Sequence, residues 1–108
     1  MTEILFVKSN GKYRGFECHG HAGYADEGED IICAALSVLT INTINSLDLI
    51  TKDEIDVETD DISGDMKVYF KKDSSKGGEL LMESLLLGLT SIASQYGEQF
   101  VKVEIQEV

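Results

Sequence analysis

The 108-residue chain has no proline, only 2 cysteines, and only 9 basic residues against 20 acidic ones. Each shortage excludes something. With no proline and no low-complexity tract there is no linker, so a single domain over 1–108 is expected, large enough for one core without metal or disulfide staples. Two cysteines make no disulfide framework and suit a reducing compartment, which points to the cytoplasm. The formal charge of −11 repels phosphate backbones and anionic lipid, arguing against direct nucleic-acid or membrane binding and for basic partners. Solubility alone is the plainer reading of such a surface. No continuous run reaches the roughly 18 apolar residues that span a bilayer. The opening segment Met1-Thr2-Glu3-Ile4-Leu5-Phe6-Val7-Lys8 carries an early acid and lacks the basic start of a targeting sequence.

What is present is mostly periodicity. Residues 2–8 alternate, with Ile4 and Phe6 on one face and Leu5 and Val7 on the other, which predicts a strand covered on both sides. Ser9-Asn10-Gly11 marks a hairpin, because Asn-Gly tolerates positive φ. Residues 12–19 return as a second strand with Phe16 and Cys18 on one face and His19 on the other. From Ile31 to Ile50 the spacing turns helical, with Ile32, Leu36, Leu39, Thr43 and Leu47 in one stripe. Residues 54–59 and 65–71 form a second hairpin around Asp60, Asp61, Ser63 and Gly64. After a polar connector, Lys71 to Gly78, a second helix runs from Glu79 to Tyr96 and stops at Gly97. Its apolar positions nearly encircle it, the pattern of a central helix or an oligomer surface. Phe100 to Ile105 closes the chain as a strand. The fold class expected is α+β, an α/β sandwich in the order ββαββαβ, with one mixed sheet and two helices.

The chemistry concentrates between Gly20 and Leu39. His21 follows an apolar strand, a loop with Gly23, Tyr24 and Gly28 comes next, and Asp30 is placed to cap a helix that carries Cys33 in its first turn. A cysteine reacts as its thiolate, and a thiol with pKa near 8.5 is about 3% ionised at pH 7. Making the thiolate the major species needs about two units, or about 2.7 kcal/mol. A helix N-terminus supplies about 0.3–1 kcal/mol, and the acids at 26, 27, 29 and 30 oppose it. A histidine partner must provide the rest, and His21 is placed to do so. The amides near Ile32 and Cys33 would face an oxyanion, and Ser37 sits one turn from Cys33 on the same face. Gly23 and Gly28 would hinge a lid, with Tyr24 either touching substrate or anchoring the loop.

Gly20-His21-Ala22-Gly23-Tyr24-Ala25, then Gly28, then Asp30-Ile31-Ile32-Cys33-Ala34-Ala35 with Ser37 and Leu39, resembles the signature of the ribosomal-processing cysteine protease family (Prp). The resemblance implies that His21 and Cys33 are the catalytic dyad and that Gly20, Asp30 and Ser37 are further motif positions. It also implies a substrate, the short N-terminal extension of large-subunit ribosomal protein twenty-seven, whose removal ribosome assembly requires. A homodimer with no metal or other cofactor is implied as well. An acidic enzyme suits so basic a substrate.

Two other readings fit parts of the pattern. One is a non-enzymatic assembly factor that binds basic ribosomal proteins through its acidic surface. The other is a metal-binding module built from Cys18, His19, His21 and Cys33, although the spacing is wrong for common zinc sites and alternation separates Cys18 from the histidines. The acids from Asp26 to Asp30 lack the calcium-loop pattern.

Overall fold

The computed structural model describes residues 1–20 and 29–108, without the side chains of Glu29 and Asp30. Five strands, β1 (Thr2–Ser9), β2 (Lys12–His19), β3 (Ile55–Thr59), β4 (Met66–Phe70) and β5 (Val101–Glu107), form one sheet. Its order is β3-β4-β2-β1-β5. Only the β1–β5 pair is parallel; the other three are antiparallel. Helices α1 (Glu29–Ser46) and α2 (Lys76–Tyr96) pack on one face, and a π-helical turn over Leu47–Thr51 extends α1. The chain is thus ββαββαβ with a mixed sheet and two helices, as the periodicity predicts.

The core lies between these layers. Ile4, Phe6, Phe16, Val68 and Val101 of the sheet meet Ile32, Leu36, Leu47, Met82, Leu85 and Leu89 of the helices. Thr43, in the predicted apolar stripe, is buried because its Oγ1 donates to the Leu39 carbonyl at 2.8 Å, leaving no unpaired hydroxyl. The Asn10-Gly11 turn has φ of 53° and 77°, as a tight hairpin between right-twisted strands requires.

Three expectations change. The described helices cover only one sheet face; on the opposite face of β1, without a helix over it, Val7 is buried and Leu5 half-buried. Next, Arg14 is an extra residue between the Val7–Gly15 and Lys8–Tyr13 pairs. This bulge reverses the parity of β2, and so Tyr13 joins Phe16 in the core, its ring 6.0 Å from that of Phe6. Finally, α2 starts at Lys76, three residues before Glu79, because Ser75 caps it: the Ser75 Oγ accepts from the Gly78 amide at 2.9 Å. The glycines that disguise this turn have a packing reason at Gly78, where a Cβ would lie 2.4 Å from an Asp53 carboxylate oxygen.

Helix α1 also departs from expectation in composition. With its extension, Ile31–Thr51 is long and apolar enough to cross a membrane by those criteria alone. No charged residue occurs between Ile31 and Leu47. Ile32, Leu36 and Leu47 face the core, whereas Ile31, Val38 and Ile41 are exposed.

Candidate active site

The site forms where the end of β2 meets the start of α1. Alternation sends Cys18 toward the helices and His19 to the open face of the sheet, so these two members of the metal reading lie on opposite faces. Cys33 is half-buried on α1 and lines a cavity of about 170 Å³. The walls are Thr2 and Ile4 of β1, Cys18 of β2, Leu36, Ser37, Thr40 and Ile41 of α1, and Thr59, Gly64 and Met66 of the β3–β4 hairpin. Ser37 therefore shares the cavity with Cys33, as the one-turn spacing predicts. Thr40 turns its hydroxyl to the Leu36 carbonyl at 2.9 Å, which makes its side of the wall effectively apolar.

Two details of the helix start are corrected. Because α1 begins at Glu29, Asp30 lies inside the first turn instead of capping it. Cys33 falls at the start of the second turn, four residues after Glu29. His21, Gly23, Tyr24 and Gly28, and with them the lid, lie outside the described residues.

The two thiols share one cavity but differ in environment. Burial, with a contribution from the Asp65 charge, pushes the Cys18 thiol up to about 12, so it stays protonated and inert. Cys18 is thus a wall of the site, in keeping with a buried strand position.

Gly20 directly follows β2, with φ of 79°. A side chain there would place its Cβ 2.5 Å from the Met1 carbonyl oxygen, so both space and dihedral demand glycine. Beside it on the open face lies a network that sequence reasoning missed. The His19 Nε2 faces Glu17 Oε1 at 2.7 Å, and its Nδ1 faces Asp65 Oδ2 at 3.1 Å. Asp65 Oδ1 accepts from the Gly20 amide at 3.2 Å, and the Tyr69 hydroxyl donates to Glu17. Glu17 and His19 two apart on a strand were a visible signal; the contribution of Asp65, 46 positions away, was not.

The network sets a pH dependence. Hydrogen bonds from Asp65 and Glu17 raise the His19 pKa above its ordinary value near 6.5. Those of Glu17 and Asp65 are lowered, chiefly by Tyr69 and His19 respectively. A raised histidine contributes stability that is present below about pH 6.5 and lost as pH climbs through its folded value. Lowered carboxylates contribute stability present above about pH 4.5 and lost on acidification. All three contributions coexist between these limits. Thermal melts are expected to drop by a few degrees between pH 6 and pH 9 in the wild type, and by less in His19→Gln; equal drops would sink the assignment.

Comparison with known proteins agrees on one family. The Peptidase_Prp family, described as cysteine protease Prp, matches residues 1–101. The ribosomal processing cysteine protease Prp of Staphylococcus aureus (strain Mu50) is 26% identical over 98 residues, covering 91% of this chain and 92% of that one. Its Bacillus subtilis counterpart is 24% identical over 85 residues, covering 75% and 76%. The crystal structure of SMU.848 from Streptococcus mutans superposes with a TM-score of 0.91 at 30% identity, over 100% of this chain and 99% of that one. The S. aureus Prp structure with a covalently linked product peptide has a TM-score of 0.87 at 21% identity, over 98% and 100%, and shares the fold.

Proposed function

Because this chain belongs to the ribosomal processing cysteine protease (Prp) family, we propose that it removes the short N-terminal extension of large-subunit ribosomal protein twenty-seven, with Cys33 as nucleophile and His21 as its base. The observation that carries this reading is the half-exposed Cys33 on the wall of an apolar cavity, in a sequence that supplies a histidine twelve positions earlier. An engineered cavity of about 150 Å³ holds a benzene molecule. The cavity here thus has room for one aromatic or branched side chain, which would fix the scissile bond next to the sulfur.

In this mechanism His21 takes the Cys33 proton, and the resulting imidazolium is the ion-pair partner of the thiolate. The sulfur attacks the scissile carbonyl and the C–N bond breaks. The leaving amine takes the proton from His21, leaving a thioester on Cys33. Water, deprotonated by His21, hydrolyses the thioester, releases the carboxylate of the extension and returns the thiol. No step uses a metal or cofactor. The charge of −11 supports attraction of a basic ribosomal protein during assembly in the cytoplasm, and disfavours RNA itself. The test is incubation with a peptide carrying the extension, read by mass spectrometry for one defined cut. Wild type is expected to cut; His21→Ala and Cys33→Ser are not.

Pairing of two copies belongs to the same proposal. Supporting it is the uncharged outer face of α1, where Ile31 and Val38 are 65% and 67% exposed and one turn-spaced row includes Ala34 and Ile41. Val38→Asp would place two charges within such an interface and is expected to convert dimer to monomer in light scattering. A wild-type monomer, or a variant that stays dimeric, would overturn the pairing through this face.

A further inference from the structure

We propose that Asp65 is a positioning residue for the Cys33 cavity: its carboxylate clamps the β3–β4 hairpin to the end of β2 and so sets how wide the cavity stands. The inference deepens the protease reading above and rests on it for the occupant, a side chain of the bound peptide. Register brings the clamp about. Met66 pairs with Cys18 on the side of the sheet that faces the helices, and both line the cavity. One step outward, the same antiparallel register sets Asp65 opposite His19, and alternation turns both to the open face. Gly64 and Met66, the chain neighbours of Asp65, both line the cavity. Clamp and wall are therefore one stretch of chain.

The tip of the hairpin needs such a tie. The described β2–β4 ladder ends at the Cys18–Met66 pair. Beyond it the backbone of Asp65 serves the hairpin itself: its carbonyl accepts from the Asp60 amide at 2.9 Å, and its amide donates to Ser63 Oγ at 3.2 Å. Asp60 Oδ1 accepts from the Ile62 and Ser63 amides at 2.9 and 3.3 Å, and the Asp60 carbonyl accepts from the Gly64 amide at 2.7 Å. The tip is thus bonded to itself and moves as one piece. Residues 60–64 are all exposed, Ile62 at 99%, so burial does not hold it. The Asp65 carboxylate reaches across to β2 instead, with Oδ2 on the His19 Nδ1 at 3.1 Å and Oδ1 accepting from the Gly20 amide at 3.2 Å. Glu17 braces the other ring nitrogen of His19, and the Tyr69 hydroxyl of β4 donates to Glu17. Hydrogen bonds to an ionised group are about twice as strong as neutral ones. Two of them on one carboxylate fix both the distance and the tilt of the wall.

The test reads the cavity through Cys33. Wild type, Asp65→Ala, Asp65→Asn and His19→Gln are alkylated with iodoacetamide and with N-benzyliodoacetamide, and the second rate is divided by the first. The thiolate fraction cancels in that ratio, which then reports how well the cavity takes an aromatic group. Cys18 stays protonated, and peptide mapping confirms which sulfur reacts. Wild type is expected to exceed the ratio measured on glutathione by about tenfold, the scale on which an apolar pocket selects a side chain. Asp65→Ala should fall to within about threefold of glutathione, and should raise KM for the peptide about tenfold with kcat changed by less than about threefold. Asp65→Asn keeps an oxygen for the Gly20 amide and should stay near wild type. His19→Gln loses one half of the clamp and should lie between. Circular dichroism melts give the unfolded fraction; where Asp65→Ala is largely unfolded, the ratio in His19→Gln decides. A wild-type ratio in Asp65→Ala and His19→Gln would overturn the clamp, as would a fall that only tracks the unfolded fraction or a loss confined to kcat. A wild type no better than glutathione would overturn the cavity as a side-chain site, and the clamp with it. A high wild-type ratio that falls in Asp65→Ala, with no peptide cut by the wild type, would support the clamp and reject the substrate.

Discussion

Alanine at position 33 is expected to abolish peptide cleavage, lowering kcat/KM by at least about ten-thousandfold, the scale seen when a covalent nucleophile is deleted. Cys18→Ala should stay within about threefold of wild type. The contrast is informative because both sulfurs line the same cavity, so proximity to a bound peptide does not distinguish them. Ionisation does. With its pKa near 12, Cys18 carries thiolate in about one molecule in 10⁵ at neutral pH. It also points from the strand into the core side of the sheet and lies away from the open face that His19 occupies. Cleavage assays on the two variants, with intact mass to confirm an acyl adduct on Cys33, check the prediction. Substantial activity in Cys33→Ala would remove the proposed nucleophile.

The parts of this architecture that are local in sequence were legible there. Asn10-Gly11 announced its turn, Gly97 its helix stop, and the spacing of Ile32, Leu36 and Leu47 the buried side of α1. Alternation placed Cys18 and His19 on opposite faces. What was hidden depends on contacts between distant positions. Thr59, Gly64 and Met66 reach the Cys33 cavity only because β4 pairs with β2, and the order β3-β4-β2-β1-β5 is not written in any periodicity. Tyr13 was obscured by the bulge at Arg14, which adds one residue and so exchanges the faces. The start of α2 was obscured by Gly77 and Gly78, poor helix formers that survive because Ser75 caps the turn and Asp53 crowds Gly78. Asp65 read only as the first residue of the strand 65–71; its value lies in reaching His19 and Gly20 on the neighbouring strand.

The same dependence on β2–β4 pairing makes Gly15→Ala the substitution with the largest expected effect on stability. Gly15 pairs with Val7 on one side and Tyr69 on the other. A Cβ there would sit 2.1 Å from the Val68 carbonyl oxygen and 2.9 Å from the Tyr69 Cα. Both are backbone atoms, so no rotamer change relieves the clash and the strands must separate. The Tyr69 ring adds a third contact, at 2.7 Å. Overpacking of this kind costs about 3 kcal/mol, which for a domain of this size lowers Tm by about 10 °C or more. Gly11→Ala is the matched control. Its φ of 77° makes an alanine uncomfortable, but nothing lies within 4 Å of the added carbon, and about 1 kcal/mol is expected. The clash also acts on function, since moving β4 away from β2 displaces Met66 from the cavity and Tyr69 from Glu17 together. Gly15→Ala should therefore lose more kcat/KM than its unfolded fraction accounts for. Calorimetry and cleavage at a temperature where the variant is folded would show this, and a melt within about 2 °C of wild type would refute the account of how β2 and β4 fit.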